Sequence, residues 1–259
     1  MADKMRKEPE PVRSWTWPHY RMVQFCLPRL LKLLGGFEVS GLENVPATGG
    51  AIIAANHTSH LDPPTVGVAM PRRTYYFAKK ELFQVPVFGW IIRKCYAFPV
   101  DREGTDRIAI RNAVKILKAG ELLTLFPEGG RSPDGSVQEG TPGVAFIAKQ
   151  AGVPIIPCAL KSVDRVLPRG AWYLHRGRVA VRFGTPIEVD TFATQNSGKS
   201  VLNATVDAVM ASIRQMRTEL YESAGELPPE AMKTAQVAAS DDGKMSSELP
   251  RDTELTKDR

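Results

Sequence analysis

From residue 37 onward, short apolar runs alternate with longer stretches in which apolar residues recur every three or four positions, the periods of strand and helix. Residues 37–41 read as an edge strand, 51–56 as a central strand and 74–78 as a third. Residues 82–95 read as helical turns around Pro86, and 98–102 as a short extended piece ending in Arg102. Thr105 is placed to cap a helix whose Ile108, Ala109, Ala113, Ile116 and Leu117 fall mainly on one face, and Gly120 to end it. The run at 122–126 is too short for a helix and is expected as a buried strand of a largely parallel sheet. A helix over 142–151, strands over 154–160 and 178–183, and a closing helix over 200–223 complete the pattern; the last carries Val201, Val206, Val209, Ile213, Met216 and Leu220 at mostly helical spacing. The expected fold class is α/β, a largely parallel central sheet flanked by helices, in one domain over 37–224.

The flanks differ from this body. Residues 1–13 are charged and Pro-containing and read as a flexible N-terminus. Residues 14–36 are apolar, with Trp15, Trp17 and Tyr20 at one end, interspersed cations, and Pro28 expected to split them into two short helices. Neither piece has the roughly 20 apolar residues that span a bilayer. The segment reads as an amphipathic two-helix membrane-docking hairpin lying in the interface, or as an ordinary amphipathic element packed on the domain. Residues 225–259 turn polar and read as a disordered acidic tail.

Charge sharpens the division. The chain carries +6, but residues 225–259 hold five Lys or Arg against eight Asp or Glu, a balance of −3, so the first 224 residues carry +9. A basic folded part favours anionic partners, namely phosphorylated metabolites or an anionic membrane surface. Nucleic acid is not expected, because the basic residues are scattered and no recognition signature accompanies them. Cys26, Cys95 and Cys158 are far apart and odd in number, which fits a reducing cytoplasmic compartment and neither a disulfide framework nor a zinc knuckle.

Candidate chemistry begins at Asn56-His57-Thr58-Ser59-His60-Leu61-Asp62. The strand over 51–56 ends here, and Ser59 followed by Asp62 is the spacing that opens a helix. His57 then lies at a strand-to-helix junction, where the first-turn Asp62 can reach back to its imidazole and leave the other ring nitrogen as a proton acceptor. A His–Asp pair without a protein nucleophile suits a substrate that brings its own hydroxyl. A metal site of His57, His60 and Asp62 is the rival, but His19 and His175 lie in unrelated surroundings and supply no further ligand pattern. Carboxyl ends of parallel strands gather functional loops. Arg102 follows one such strand and Glu128-Gly129-Gly130-Arg131 another. The glycines allow backbone amides close to a ligand, Arg102 and Arg131 can grip a phosphate, and Glu128 can accept from a polyol. Alternatively Glu128 and Arg131 pair with each other and Arg102 merely caps a strand.

In order along the chain, Asn56 to Asp62, the segment ending Phe98-Pro99-Val100-Asp101-Arg102, Phe126-Pro127-Glu128-Gly129-Gly130-Arg131-Ser132 and Val153-Pro154-Ile155-Ile156-Pro157 resemble the four blocks of the 1-acylglycerol-3-phosphate acyltransferase family. Gly130 stands where that family commonly has Thr, and Tyr96 and Pro99 where it often has Gly and Phe. The resemblance implies transfer of a fatty acyl group from a thioester to the free hydroxyl of a lysophosphatidic acid or related lysolipid, on the cytoplasmic face of a membrane, by a peripheral or monotopic protein. It implies His57 as general base, Asp62 as its orienting partner, Arg102 and Arg131 on the acceptor phosphate, Glu128, Gly129 and Gly130 near the glycerol backbone, and the fourth block as an acyl-chain wall. No cofactor or metal is implied; acyl-coenzyme A or acyl-acyl-carrier protein is the co-substrate. Another lysophospholipid, glycerol 3-phosphate or an amino-acid-based lipid is the alternative acceptor. A hydrolase is disfavoured by the lack of a Gly-x-Ser-x-Gly elbow, and the other class left open is a non-catalytic membrane lipid-binding module.

Overall fold

In the computed structural model of the chain, which describes residues 18–101, 106–192 and 199–232, the strands form a single sheet. Its order is β1 (Phe37–Ser40), β7 (Val179–Phe183), β6 (Ile155–Lys161), β2 (Ala51–Ala55), β5 (Leu122–Leu125), β3 (Thr74–Lys79) and β4 (Ala97–Val100). Neighbours are parallel except β6 and β7, which run antiparallel. The reversal matters for the site: the start of β7, and of β1 beside it, lies at the same edge as the ends of β6, β2 and β5.

Every residue of β2 is fully buried, because helices cover both faces of the sheet. Ile52 and Ala54 point into a core with α4 (Arg107–Lys118), α5 (Gly143–Ala151) and α7 (Lys199–Glu222), while Ala51, Ile53 and Ala55 point into another with α1 (Pro18–Leu34), α2 (Asp62–Ala69) and α6 (Val163–Val166). The period-2 alternation of one strand thus serves two cores. In the fourth sequence block, Ile155, Ile156 and Pro157 lie buried in β6 inside the sheet, so they are core and not an acyl-chain wall.

Helix α4 begins one residue later than expected. Thr105 lies outside the described residues; the carboxylate of Asp106 accepts from Ile108 N and Ala109 N and caps the helix. Its end is as expected: Gly120, at φ 84°, donates to Leu117 O, and Glu121 N reaches Ile116 O. Ile108 is exposed and leaves the apolar face to Ala109, Ala113, Ile116 and Leu117. Around Pro86 a 3₁₀ turn (Lys80–Gln84) leads into α3 (Pro86–Lys94), with the proline in the first helical turn.

The expected break at Pro28 is not found. α1 runs through it as one 17-residue helix, not a hairpin. Tyr20, Leu27, Leu31 and Leu34, on both sides of the proline, seat in or against the core, and this packing overrides the loss of one backbone hydrogen bond. The other flank of α1 leaves Met22, Phe25, Leu30 and Leu33 exposed, with the Arg29 guanidinium 3.4 Å above the Phe25 ring. Among the described residues no helix is long and apolar enough to cross a membrane.

The first part of the region read as tail is not tail. Residues 226–232 lie on the body: Glu226 pairs with Lys161 and Arg165, and Glu230 pairs with the buried Arg217 and accepts from Val137 N. Buried cations at positions 161 and 217 require carboxylate partners, and this polar segment supplies them.

Candidate active site

At the end of β2 the chain leaves the sheet through a polar but closely bonded junction. Asn56 is fully buried and extends the pairing with β6 by its side chain, donating to Leu160 O and accepting from Leu160 N at 3.1 and 2.7 Å. The expected capping box forms by half. The Asp62 carboxylate reaches back to Ser59 N at 2.7 Å, but Ser59 Oγ accepts from Leu61 N and donates to Leu167 O instead of capping the helix.

Asp62 Oδ2 collects three donors: Thr58 N at 2.6 Å, Ser59 N at 2.7 Å and the His57 imidazole at 2.8 Å from Nδ1. A carboxylate oxygen so placed is an acceptor, so the hydrogen of the neutral ring resides on Nδ1 and Nε2 is left as the acceptor. His57 is 8 % exposed and Asp62 0 %, so the ring and not the carboxylate reaches the surface. The ring is stacked on Phe126 with centroids 4.1 Å apart, at the end of β5.

The segment after β5 holds the backbone of His57 from both sides. His57 N donates to Glu128 Oε1 at 2.9 Å, and Ser132 N donates to His57 O at 2.7 Å. Glu128 Oε2 receives Gln138 N at 3.4 Å. Burial pushes the Glu128 carboxyl up to about 7, against the opposing effect of these two backbone donors and of the Arg217 charge. Glu128 therefore braces the histidine; no Glu128–Arg131 ion pair forms among the described residues. Gly129 sits at φ 70°, a left-handed turn that needs glycine, whereas Gly130 has an ordinary φ; a Cβ at either would meet nothing within 4 Å.

Arg131 has no ion pair among the described residues. Partial loss of hydration and the positive charge of Arg169 hold its guanidinium below the usual range. His60, exposed at the rim, is lowered first by loss of hydration and then by Arg131, with Arg169 contributing as well. Arg131 and Arg169 thus make the rim beside His57 electropositive, and their charge helps keep His60 in its neutral form. Arg102 lies outside the described residues. No three His, Cys, Asp or Glu side chains converge as metal ligands among the described residues, and His60 is not drawn to the His57–Asp62 pair.

His57 and Asp62 are brought together as the junction reading requires, and Arg131 is brought to the same strand-end edge. Missed in the sequence were the stacking of the Phe126 ring on His57, the bracing direction of Glu128, and Arg169, which no spacing connects to His57, 112 positions earlier.

The family model described as Acyltransferase matches residues 36–161. A protein of Bacillus subtilis (strain 168) named 1-acyl-sn-glycerol-3-phosphate acyltransferase is 34 % identical over 204 residues, covering 77 % of this chain and 98 % of that protein. A protein of the same name from Streptococcus pneumoniae is 35 % identical over 147 residues, 56 % of this chain and 53 % of the relative. The crystal structure of the 1-acyl-sn-glycerophosphate (LPA) acyltransferase PlsC from Thermotoga maritima superimposes with a TM-score of 0.63 at 27 % identity, over 76 % of this chain and 79 % of that one.

Proposed function

The chain belongs to the 1-acyl-sn-glycerol-3-phosphate acyltransferase family and is an O-acyltransferase; from that premise we propose that it moves a fatty acyl group from an acyl thioester to the free hydroxyl of 1-acylglycerol 3-phosphate, giving phosphatidic acid, on the cytoplasmic face of a membrane. The observation that carries the reading is the oriented His57–Asp62 pair at the open end of the sheet, beside an electropositive rim. Of the two hydroxyl residues between them in sequence, Ser59 is engaged with Leu167 O and Thr58 is buried.

His57 Nε2 takes the proton of the acceptor hydroxyl as its oxygen attacks the thioester carbonyl. Asp62 holds the imidazolium that forms. When the tetrahedral adduct collapses, the carbon–sulfur bond breaks and the proton passes from the imidazolium to the departing thiolate, so the reaction balances without an acyl-enzyme. Base catalysis of this kind supplies typically 10²–10⁴-fold, roughly 3–5 kcal/mol, and the remainder comes from holding the two substrates in register and stabilising the oxyanion. Arg131, with Arg102, holds the acceptor phosphate in a forked grip. Glu128 acts mainly through the His57 backbone, and the open space at Gly129 and Gly130 admits the glycerol portion. The donor is acyl-coenzyme A or acyl-acyl-carrier protein. The exposed apolar flank of α1 supports contact with the bilayer surface, and the three free cysteines suit the cytoplasmic side.

The test is release of free thiol from a long-chain acyl-coenzyme A by the purified protein, with and without 1-acylglycerol 3-phosphate. Release that requires the acceptor and is matched by phosphatidic acid supports the reading. Thiol release of equal rate without acceptor would make the protein a hydrolase and sink it.

A further inference from the structure

The segment between β6 and β7, residues 162–178, crosses the site edge of the sheet and is tied to the site from within. Ser59 Oγ, two residues from His57, donates to Leu167 O at 2.8 Å; His175 N closes the loop on Val166 O at 2.8 Å; and Gly177 N bonds Leu34 O at the end of α1. Leu174 packs inward against the core. Trp172 and Tyr173, beside it, point outward, 89 % and 53 % exposed, with ring centroids 5.3 Å apart. An outward pair of large aromatic side chains on an anchored loop leaves unburied apolar surface that marks a contact.

Charge selects the kind of contact. Of the four arginines at 165, 169, 176 and 178, Arg165 is paired with Glu226 and Arg178 with Glu38, while Arg169 and Arg176 have no ion pair among the described residues. Two uncommitted cations flanking a Trp–Tyr pair match the layered chemistry of a bilayer surface, where aromatic rings settle at headgroup depth and arginines meet lipid phosphates. Leu33, 80 % exposed at the end of α1, lies at the same edge because the β6–β7 reversal brings the start of β1 there.

We propose that the loop over 167–176 is a membrane-docking element, with Trp172 and Tyr173 seated among the headgroups and Arg169 and Arg176 on anionic lipid phosphates, so that His57 faces the bilayer from which its lipid acceptor comes. The docking rests on the acyltransferase reading only in the identity of that acceptor; the contact itself is independent of catalysis.

The experiment compares the full chain with the double variant Trp172→Ala/Tyr173→Ala in sedimentation with vesicles of phosphatidylcholine containing phosphatidic acid, and in acyl transfer to a short-chain acceptor kept monomeric in solution. We expect the double variant to bind vesicles about tenfold or more weakly while transferring to the soluble acceptor within about twofold of the natural chain. Arg176→Ala is expected to weaken binding to vesicles with phosphatidic acid and to leave binding to phosphatidylcholine alone unchanged. A chain in which Trp15, Trp17 and Trp90 are replaced by Phe provides a direct reading, since brominated lipid chains should quench its remaining Trp172 fluorescence. Vesicle binding within twofold in the double variant would overturn the proposal and assign docking to α1. Unchanged vesicle binding together with slower transfer from an acyl-carrier-protein donor would overturn it in favour of a protein-docking loop. Loss of transfer in solution with unchanged vesicle binding would also overturn it, making the pair part of the site. Failure of the acyltransferase reading is distinguishable, because the natural chain would then bind vesicles but transfer nothing to either acceptor.

Discussion

The two strand ends that meet at the site follow opposite plans. At the end of β2 the polar side chains are committed internally: Asn56 to β6, Ser59 to Leu167, and one oxygen of Asp62 to three donors. At the end of β5 Glu128 and Ser132 turn inward, while Arg131 between them keeps no ion pair among the described residues and the glycines beside it border open space. One half is fixed, which suits a group that must keep its orientation while a proton moves. The other is half open, which suits a group whose partner arrives with the substrate.

The comparison breaks most visibly at its fixed half. His57→Ala should lower the rate of acceptor-dependent thiol release by about 10³-fold or more, with the circular dichroism spectrum and vesicle binding unchanged. Activity retained within tenfold would remove His57 from the base role. At the open half, Arg131→Ala should raise KM for the phosphorylated acceptor about 10- to 100-fold and change kcat by less than about fivefold. An equal rise with an uncharged monoacylglycerol acceptor would count against a phosphate grip.

Glu128 joins the halves, and its substitution sharpens the contrast. In Glu128→Gln the amide oxygen can still accept from His57 N, but its NH₂ would face the Gln138 N–H, and kcat should fall by up to about tenfold. Because burial raises the carboxyl to about 7, its contribution to stability is present in acid and is lost as pH rises from the ordinary carboxylate range through about 7. The melting temperature of the natural chain should therefore decline relative to Glu128→Gln between about pH 5 and 7, with a constant gap above about pH 8. A gap that does not change with pH would deny the raised value. The smallest expected effect on transfer is that of Glu230→Ala. This removes the carboxylate partner of the buried Arg217 and the acceptor for Val137 N, next to the Gln138 that contacts Glu128. Stability should drop by about 1–3 kcal/mol in urea titration, and kcat by no more than about threefold.

Much of this was legible along the chain because it is local. The short buried strand that begins at Ala51, the His57–Asp62 junction and the glycine stop at 120 each depend on residues a few positions apart, and the structure reproduces them. What was not legible depends on distant partners. Pro28 should break a helix, and does not, because leucines on both sides of it meet the core. Glu128 could have turned to Arg131 or to solvent, and only the sheet neighbour of β5 decides that it meets His57. Glu226 and Glu230 look like tail residues until the cations at 161 and 217 are seen to be buried. The outward pair Trp172–Tyr173 carries no period at all.

The bonds around His57 join it to Glu128, 71 positions away, and its neighbour Asn56 to Leu160, 104 positions away. These braces have no precursor in any single hairpin or helix, since long-separation contacts form only after the intervening chain has been closed. The order of assembly follows: the His57–Asp62 pair can meet locally, but the backbone beneath it is braced only when β2, β5 and β6 are already side by side. Recovery of acyl transfer during refolding should therefore trail the recovery of helical signal, and the turnover number becomes a clock for completion of the sheet.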